Sequence, residues 1–152
     1  MKKLLLILFI AIIFMSGCSS QFVGTDDRLD YATFVELLEK NGFSFEEWER
    51  EEWDVGFLSV LPRRIYIGNE QIGIWEYDST QAMETDAGFI GIGSSGHGID
   101  NRNTGYVIQV TLTSNPYWFK RDYIIVNYVG TNRRIINFLT EILGEHFAGY
   151  GF

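Results

Sequence analysis

The amino-terminal 17 residues determine which part of this chain has to fold as a globular unit. Lys2 and Lys3 precede an unbroken apolar run from Leu4 to Met15, and two small residues follow at 16–17. A positive start, an apolar centre and a small-residue exit are the three parts of a secretory signal peptide. The run of about 12 residues is shorter than the roughly 20 that cross a bilayer as a helix. We therefore predict a signal peptide at residues 1–17.

The exported part has the size of one domain. Without its first 17 residues, the 152-residue chain keeps 135 residues. A domain of that size buries about two-thirds of the surface of its unfolded chain. The full sequence contains 12 Phe, 8 Tyr and 4 Trp to fill a core. Cys18 is the only cysteine, so an intramolecular disulfide is excluded. We expect a globular domain over residues 31–152 that folds without disulfides.

The charge of the exported part narrows the classes of partner. Once Lys2 and Lys3 are removed, 10 basic side chains remain against 20 acidic ones, a net charge of −10. Nucleic-acid binding depends on neutralisation of phosphates by Lys and Arg, and anionic lipid surfaces attract basic segments. We therefore expect binding neither to nucleic acid nor to an anionic lipid surface through the protein itself.

Hydrophobic periodicity predicts an α+β domain with the element order α-β-β-β-α-β-β-α. Short links between strands favour a mostly antiparallel sheet of about five strands, with helices on one face. The stretch 43–54 is ambiguous between an edge strand and a helical turn, and the glycine-rich stretch Gly88–Gly105 is predicted to be a loop. Helices are predicted at 31–41, 80–87 and 133–143 and strands at 57–61, 64–67, 71–77 and 106–113, followed by a strand pair at 117–120 and 123–129 that takes one place in this order.

An acidic stretch that contains two tryptophans is the candidate partner-binding surface. Tryptophan anchors surrounded by one sign of charge are typical of docking sites for an oppositely charged partner, here a basic one. The alternative is a solvated acidic edge that prevents sheet-to-sheet association, with the indoles packed inward. The predicted contact residues are Trp48, Glu49, Glu51, Glu52 and Trp53.

Catalytic motifs are weak in this sequence. The GxGxxG pattern at 91–96 is not followed by an apolar helical stripe, which a dinucleotide site requires. His97 lies close in sequence to Ser94 and Ser95, but the strand-turn-helix context of a GxSxG nucleophile is missing. His146 follows the last predicted helix, where a structural role at the helix dipole is favoured. We predict no enzyme, no cofactor and no metal, and a small envelope hydrolase using the Gly88–Gly105 loop is the alternative.

The segment Met15-Ser16-Gly17-Cys18 resembles the lipobox of bacterial lipoproteins. The resemblance implies that the Cys18 thiol carries a diacylglycerol and that Cys18 becomes the mature amino terminus. Residues 18–30 would then be a lipidated tether. The resemblance further implies a location at the extracytoplasmic face of the cell membrane, or at the outer membrane in a cell with two membranes.

The carboxy-terminal segment Tyr117–Gly149 is similar to one family of small, uncharacterised bacterial lipoproteins. The pieces that carry this similarity are Phe119-Lys120, Tyr128-Val129-Gly130, Leu143-Gly144 and Phe147-Ala148-Gly149. The resemblance implies surface anchoring and no assigned catalytic residues. We therefore expect a membrane-anchored, non-catalytic binding or accessory module. A structural or immunity-like interaction protein is a further alternative.

Overall fold

The chain forms an antiparallel sheet with helices packed against both of its faces. The computed structural model describes residues 28–48, 58–90, 97–101, 106–110 and 115–151. The six-stranded sheet has the order β1-β2-β3-β7-β6-β8, and β4 and β5 form a separate two-stranded sheet. The strands are β1 (Glu46–Glu47), β2 (Arg63–Ile67), β3 (Glu70–Glu76), β4 (His97–Asn101), β5 (Tyr106–Val110), β6 (Pro116–Arg121), β7 (Ile124–Val129) and β8 (Ala148–Gly149).

Three helices pack against the sheet, and a side chain caps the start of each. They are α1 (Tyr31–Lys40), α2 (Thr80–Ala87) and α3 (Arg133–Leu143). The side chains of Asp30, Ser79 and Asn132 each accept a backbone N–H in the first turn, at 2.8, 3.2 and 3.0 Å. These bonds satisfy donors that a helix start leaves without an intrahelical partner. Each helix therefore begins where a local hydrogen bond favours it.

The two faces of the sheet are both apolar, because alternate residues of the central strands point in opposite directions. One face packs on α1 and α3, and its cluster includes Phe34, Leu38, Ile72, Ile74, Phe119, Val126, Tyr128, Ile135 and Leu139. The other face packs on α2, and its cluster includes Leu58, Trp75, Tyr77, Met83, Ala87, Trp118 and Ile125. The aromatic segment at 117–119 therefore belongs to the core.

The predicted α+β class, the single domain and the antiparallel sheet are confirmed, with six strands in the main sheet instead of about five. Helices α1 and α3 share one face as predicted, whereas α2 lies on the opposite face. The physical reason is that Trp75, Trp118 and Ile125 make that opposite face apolar, so it also needs a covering helix.

Two local predictions are wrong, and one open alternative is resolved. Residues 58–60 form bends where a strand was expected. In the described part of the ambiguous stretch 43–54, an edge strand forms at Glu46–Glu47, which was one of the two alternatives. The stretch Gly88–Gly105 contains β4, which pairs with β5 from His97 opposite Val110 to Asn101 opposite Tyr106. The β4 sequence lacks the alternation of apolar residues that predicts a strand. It forms a strand because it pairs with β5, whose sequence does alternate.

Candidate functional site

The described part of the predicted docking surface lies at one edge of the main sheet. We call the group Glu46, Glu47, Trp48 and Tyr66 the Trp48 edge. The backbone N–H of Trp48 donates to the Arg64 carbonyl at 2.9 Å, which continues the β1–β2 ladder. The Trp48 indole lies 5.8 Å from the Tyr66 ring and keeps 46 % of its surface exposed. Because Trp and Tyr combine a large apolar area with a polar group, they are suited to protein contacts.

The two glutamates of the Trp48 edge point to opposite faces of the sheet. Glu46 lies opposite Tyr66 and Glu47 opposite Ile65, and both are exposed. Burial raises the pKa of Tyr31 to about 12, and the neighbouring Glu47 charge adds to this increase. The Arg63 guanidinium lies 4.2 Å from the centre of the Tyr31 ring. Glu47 therefore has the Arg63 guanidinium nearby, whereas Glu46 lies on the same face of the sheet as Trp48.

The remaining predicted site residues lie outside the described residues. This applies to Glu49, Glu51, Glu52 and Trp53 of the acidic stretch and to Cys18. Their proposed roles therefore stay predictions. Of the five predicted contact residues, Trp48 is the one whose surroundings the structure describes.

A buried carboxylate, which the sequence analysis did not single out, ties α2 to two other segments. Asp86 is 4 % exposed, and its Oδ2 accepts from the Ser59 N–H at 2.7 Å and from the Ser59 hydroxyl at 2.7 Å. The Tyr77 hydroxyl donates to the same oxygen at 3.0 Å. Burial raises the pKa of Tyr77, and the Asp86 charge raises it further. Asp86 shares the apolar helix face of Met83 and Ala87, and this helical spacing is the signal that could have identified it.

A second polar contact joins β3, β7 and α3. The hydroxyl of Tyr128 donates to Glu70 Oε2 and accepts the backbone N–H of Asn132 at 3.0 Å. The Tyr128 side chain is fully buried, and this burial raises its pKa to about 12. The bond to Asn132 fixes the start of α3 against the end of β7. The arrangement stabilises the neutral phenol.

An open cleft of about 410 Å³ lies where the chain enters the domain, and Arg28, Asp30, Thr33, Glu76, Tyr77, Asp78 and Tyr123 line it. Two of its carboxylates already have structural hydrogen bonds. Asp30 caps α1, and the bond from Thr33 N–H lowers the pKa of Asp30. Glu76 Oε1 accepts from the Tyr31 N–H at 3.1 Å. These two carboxylates of the cleft therefore help to fix the start of α1.

The two histidines lie in different parts of the fold. His97 is the first residue of β4, and Ser94 and Ser95 lie outside the described residues, so the hydrolase alternative stays a prediction. His146 Nε2 lies 2.9 Å from the Tyr150 carbonyl oxygen, and its ring meets the Tyr117 ring edge-on at 5.2 Å. These contacts favour the structural role predicted for His146.

Neither a metal-ligand cluster nor a membrane-spanning helix is found in the part of the chain that the structure describes. Within those ranges, no three His, Cys, Asp or Glu side chains lie close enough together to hold an ion. The helices there are too short or too polar to cross a bilayer. Comparison with family models, with curated proteins and with solved structures finds no match for this chain.

The buried tyrosines predict a loss of stability at high pH. The pKa of Tyr128 is raised to about 12 in the fold, against about 10 in an unfolded chain. Between these values the unfolded chain releases a proton that the folded chain keeps. The contribution of such a tyrosine to the unfolding free energy is therefore fully present below pH 10. It is lost as pH rises from 10 towards 12, by about 1.4 kcal/mol per pH unit.

Urea unfolding at a series of pH values between about 9 and 12 tests this expectation. The variant Tyr128→Phe should show a shallower loss over that range, because one titrating group is removed. Equal slopes for the two proteins would contradict the assignment.

Proposed function

We propose that this chain is a membrane-anchored extracytoplasmic lipoprotein whose domain is a non-catalytic binding or accessory module. The observation that carries the proposal is the segment Met15-Ser16-Gly17-Cys18 directly after a positive start and an apolar run. Two or more acyl chains hold a protein stably on a membrane, whereas one chain gives only marginal binding. A diacylglycerol on Cys18 would therefore keep the domain at the membrane surface.

The Trp48 edge is the surface through which the domain would bind a basic partner. Trp48 is half exposed and rests on Tyr66, so one side of the indole is held while another side is available. Partly exposed aromatic anchors dominate binding energies at interfaces, and surrounding charge increases association rates with oppositely charged partners. Glu46, on the same face of the sheet as Trp48 and Tyr66, supplies that charge.

The anchor is tested by intact-mass measurement of the full chain purified from envelopes of its native host. We expect a polypeptide that begins at Cys18 and carries the mass of a diacylglycerol. The variant Cys18→Ser should remain unprocessed and unlipidated. A wild-type product that begins at another residue, or that carries a bare thiol, would overturn the anchoring proposal.

The docking surface is tested by the variant Trp48→Ala. We expect the recovery of a basic envelope protein with the tagged lipoprotein to fall about tenfold or more, because a hot-spot tryptophan contributes more than about 1.4 kcal/mol. Detergent-solubilised envelopes and quantitative mass spectrometry give the readout. The matched control is Leu61→Ala, which removes a second large apolar side chain with 40 % exposure.

Leu61→Ala should leave the recovery unchanged, and higher salt should weaken binding to the wild type because charge attraction is screened. Equal recovery with Trp48→Ala and with wild type would contradict the role of the Trp48 edge. In that case the anchor proposal would stand on its own.

A further inference from the structure

The chain enters the folded domain at a fixed position beside the turn between β6 and β7. Leu29 N–H donates to Asp122 Oδ2 at 2.9 Å, and the Leu29 carbonyl accepts from Tyr123 N–H at 3.4 Å. The Leu29 side chain is buried at 4 % exposure. Arg28 donates to the Tyr123 hydroxyl, and its guanidinium lies 5.0 Å from the centre of that ring. The first described residues are therefore held by the sheet.

The strand register defines what lies at this end of the sheet. Ile124, where β7 begins, lies opposite Arg121 at the end of β6 and opposite Glu76 at the end of β3. We call this the entry end. The opposite end carries the turn between β2 and β3, with Asn69 at its tip. The seven residues of β3 separate the two ends by about 20 Å.

The chain between the lipid and the entry end is short. Nine residues separate Cys18 from Arg28. Such a segment spans at most about 35 Å even when fully extended. The entry end therefore cannot lie farther than this from the acylated residue, whereas the far end can lie about 20 Å beyond it.

We propose that the lipidated domain stands on the membrane with its entry end facing the bilayer. This inference depends on the lipid anchor proposed above. The support is geometric: the bonds of Leu29 fix the attachment point at this end of the sheet, and nine residues are all that separate it from the lipid.

The Trp48 edge lies at mid-height of the domain in the upright position. Trp48 bonds to Arg64, and Arg64 lies opposite Gly73, the central residue of the seven in β3. The edge is therefore about 10 Å from the entry end along the sheet. This places it at the side of the domain, where the bilayer does not cover it.

The orientation is tested with lipidated full-length protein in vesicles that contain phosphatidylglycerol and phosphatidylethanolamine. The variants Asp78→Cys at the entry end and Asn69→Cys at the far end each introduce one thiol at an exposed turn position. Because Cys18 is the only natural cysteine, a lipidated protein has no competing free thiol. A fluorophore on each thiol reports its distance from acceptor-labelled lipids by energy transfer.

We expect the label at position 78 to lie closer to the lipids than the label at position 69, by up to about 20 Å. Equal distances, or a closer label at position 69, would overturn the proposed orientation. Failure of the anchor gives a different result, because a protein without lipid mass would not remain with the vesicles. Circular dichroism of both variants checks that the fold is retained.

Discussion

Replacement of Asp86 by alanine is expected to lower the free energy of unfolding by about 2–4 kcal/mol, because one buried donor and two part-buried donors lose a charged acceptor. The buried donor is the hydroxyl of Tyr77, and the other two are the N–H and the hydroxyl of Ser59, a residue that is itself exposed. Tyr77 belongs to the same apolar cluster as Leu58 and Met83, where water cannot easily replace the carboxylate. Since domains are stable by about 5–15 kcal/mol, the change would remove a large share of the total.

Urea unfolding followed by tryptophan fluorescence measures this loss, since Trp75 and Trp118 lie in the same apolar cluster. The matched control is Asp78→Ala, which removes an exposed carboxylate and should change the unfolding free energy by less than about 0.5 kcal/mol. Ser59→Ala removes one donor and should cost about 1 kcal/mol. A loss for Asp86→Ala no larger than that for Asp78→Ala would show that Asp86 does not stabilise the fold.

Replacement of Gly130 by alanine is expected to cost about 3 kcal/mol, because the added methyl group overpacks a well-filled site. A Cβ atom at this position would lie 2.5 Å from Tyr128 Cζ and 2.9 Å from Glu70 Oε2, and closer still to the Tyr128 hydroxyl. Tyr128 is fully buried, so its ring cannot turn away without opening the core. This contact is a physical reason for glycine in the segment Tyr128-Val129-Gly130.

The same unfolding measurement tests this expectation, with Gly88→Ala as the control. Gly88 ends α2 with a helical φ of −64°, and the nearest atom to an added Cβ would be the Thr85 carbonyl oxygen at 3.3 Å, so alanine there should cost much less than at Gly130. The double variant Tyr128→Phe with Gly130→Ala should lose less than the sum of the single losses, since the hydroxyl contact disappears. Additive losses would show that the contact with the Tyr128 hydroxyl is not the cause.

Local chemistry explains why much of the fold could be predicted. The caps at Asp30, Ser79 and Asn132 depend on bonds to residues two or three positions away, so they are visible in the sequence. The alternation of Ile65 and Ile67 with Ile72 and Ile74 likewise predicts the hairpin of β2 and β3, which is confirmed.

Long-range partners explain what could not be predicted. The acceptor role of Asp86 depends on Ser59, which lies 27 residues away, and the Leu29 bond to Asp122 joins positions 93 residues apart. The placement of α2 on the second face depends on Trp118, which belongs to a strand much later in the chain. Local periodicity carries no information about such neighbours.

The sequence alone leads to the prediction of an exported, lipid-anchored domain, because the predicted signal peptide and the lipobox-like segment are contiguous in residues 1–18. It also determined the α+β class, since period-two strands and capped helices are local properties. Only the tertiary structure decided the strand order, the helix on the second face, the buried site at Asp86 and the end of the sheet where the chain enters. Those features depend on contacts between distant residues, which form only when the whole chain packs around one sheet.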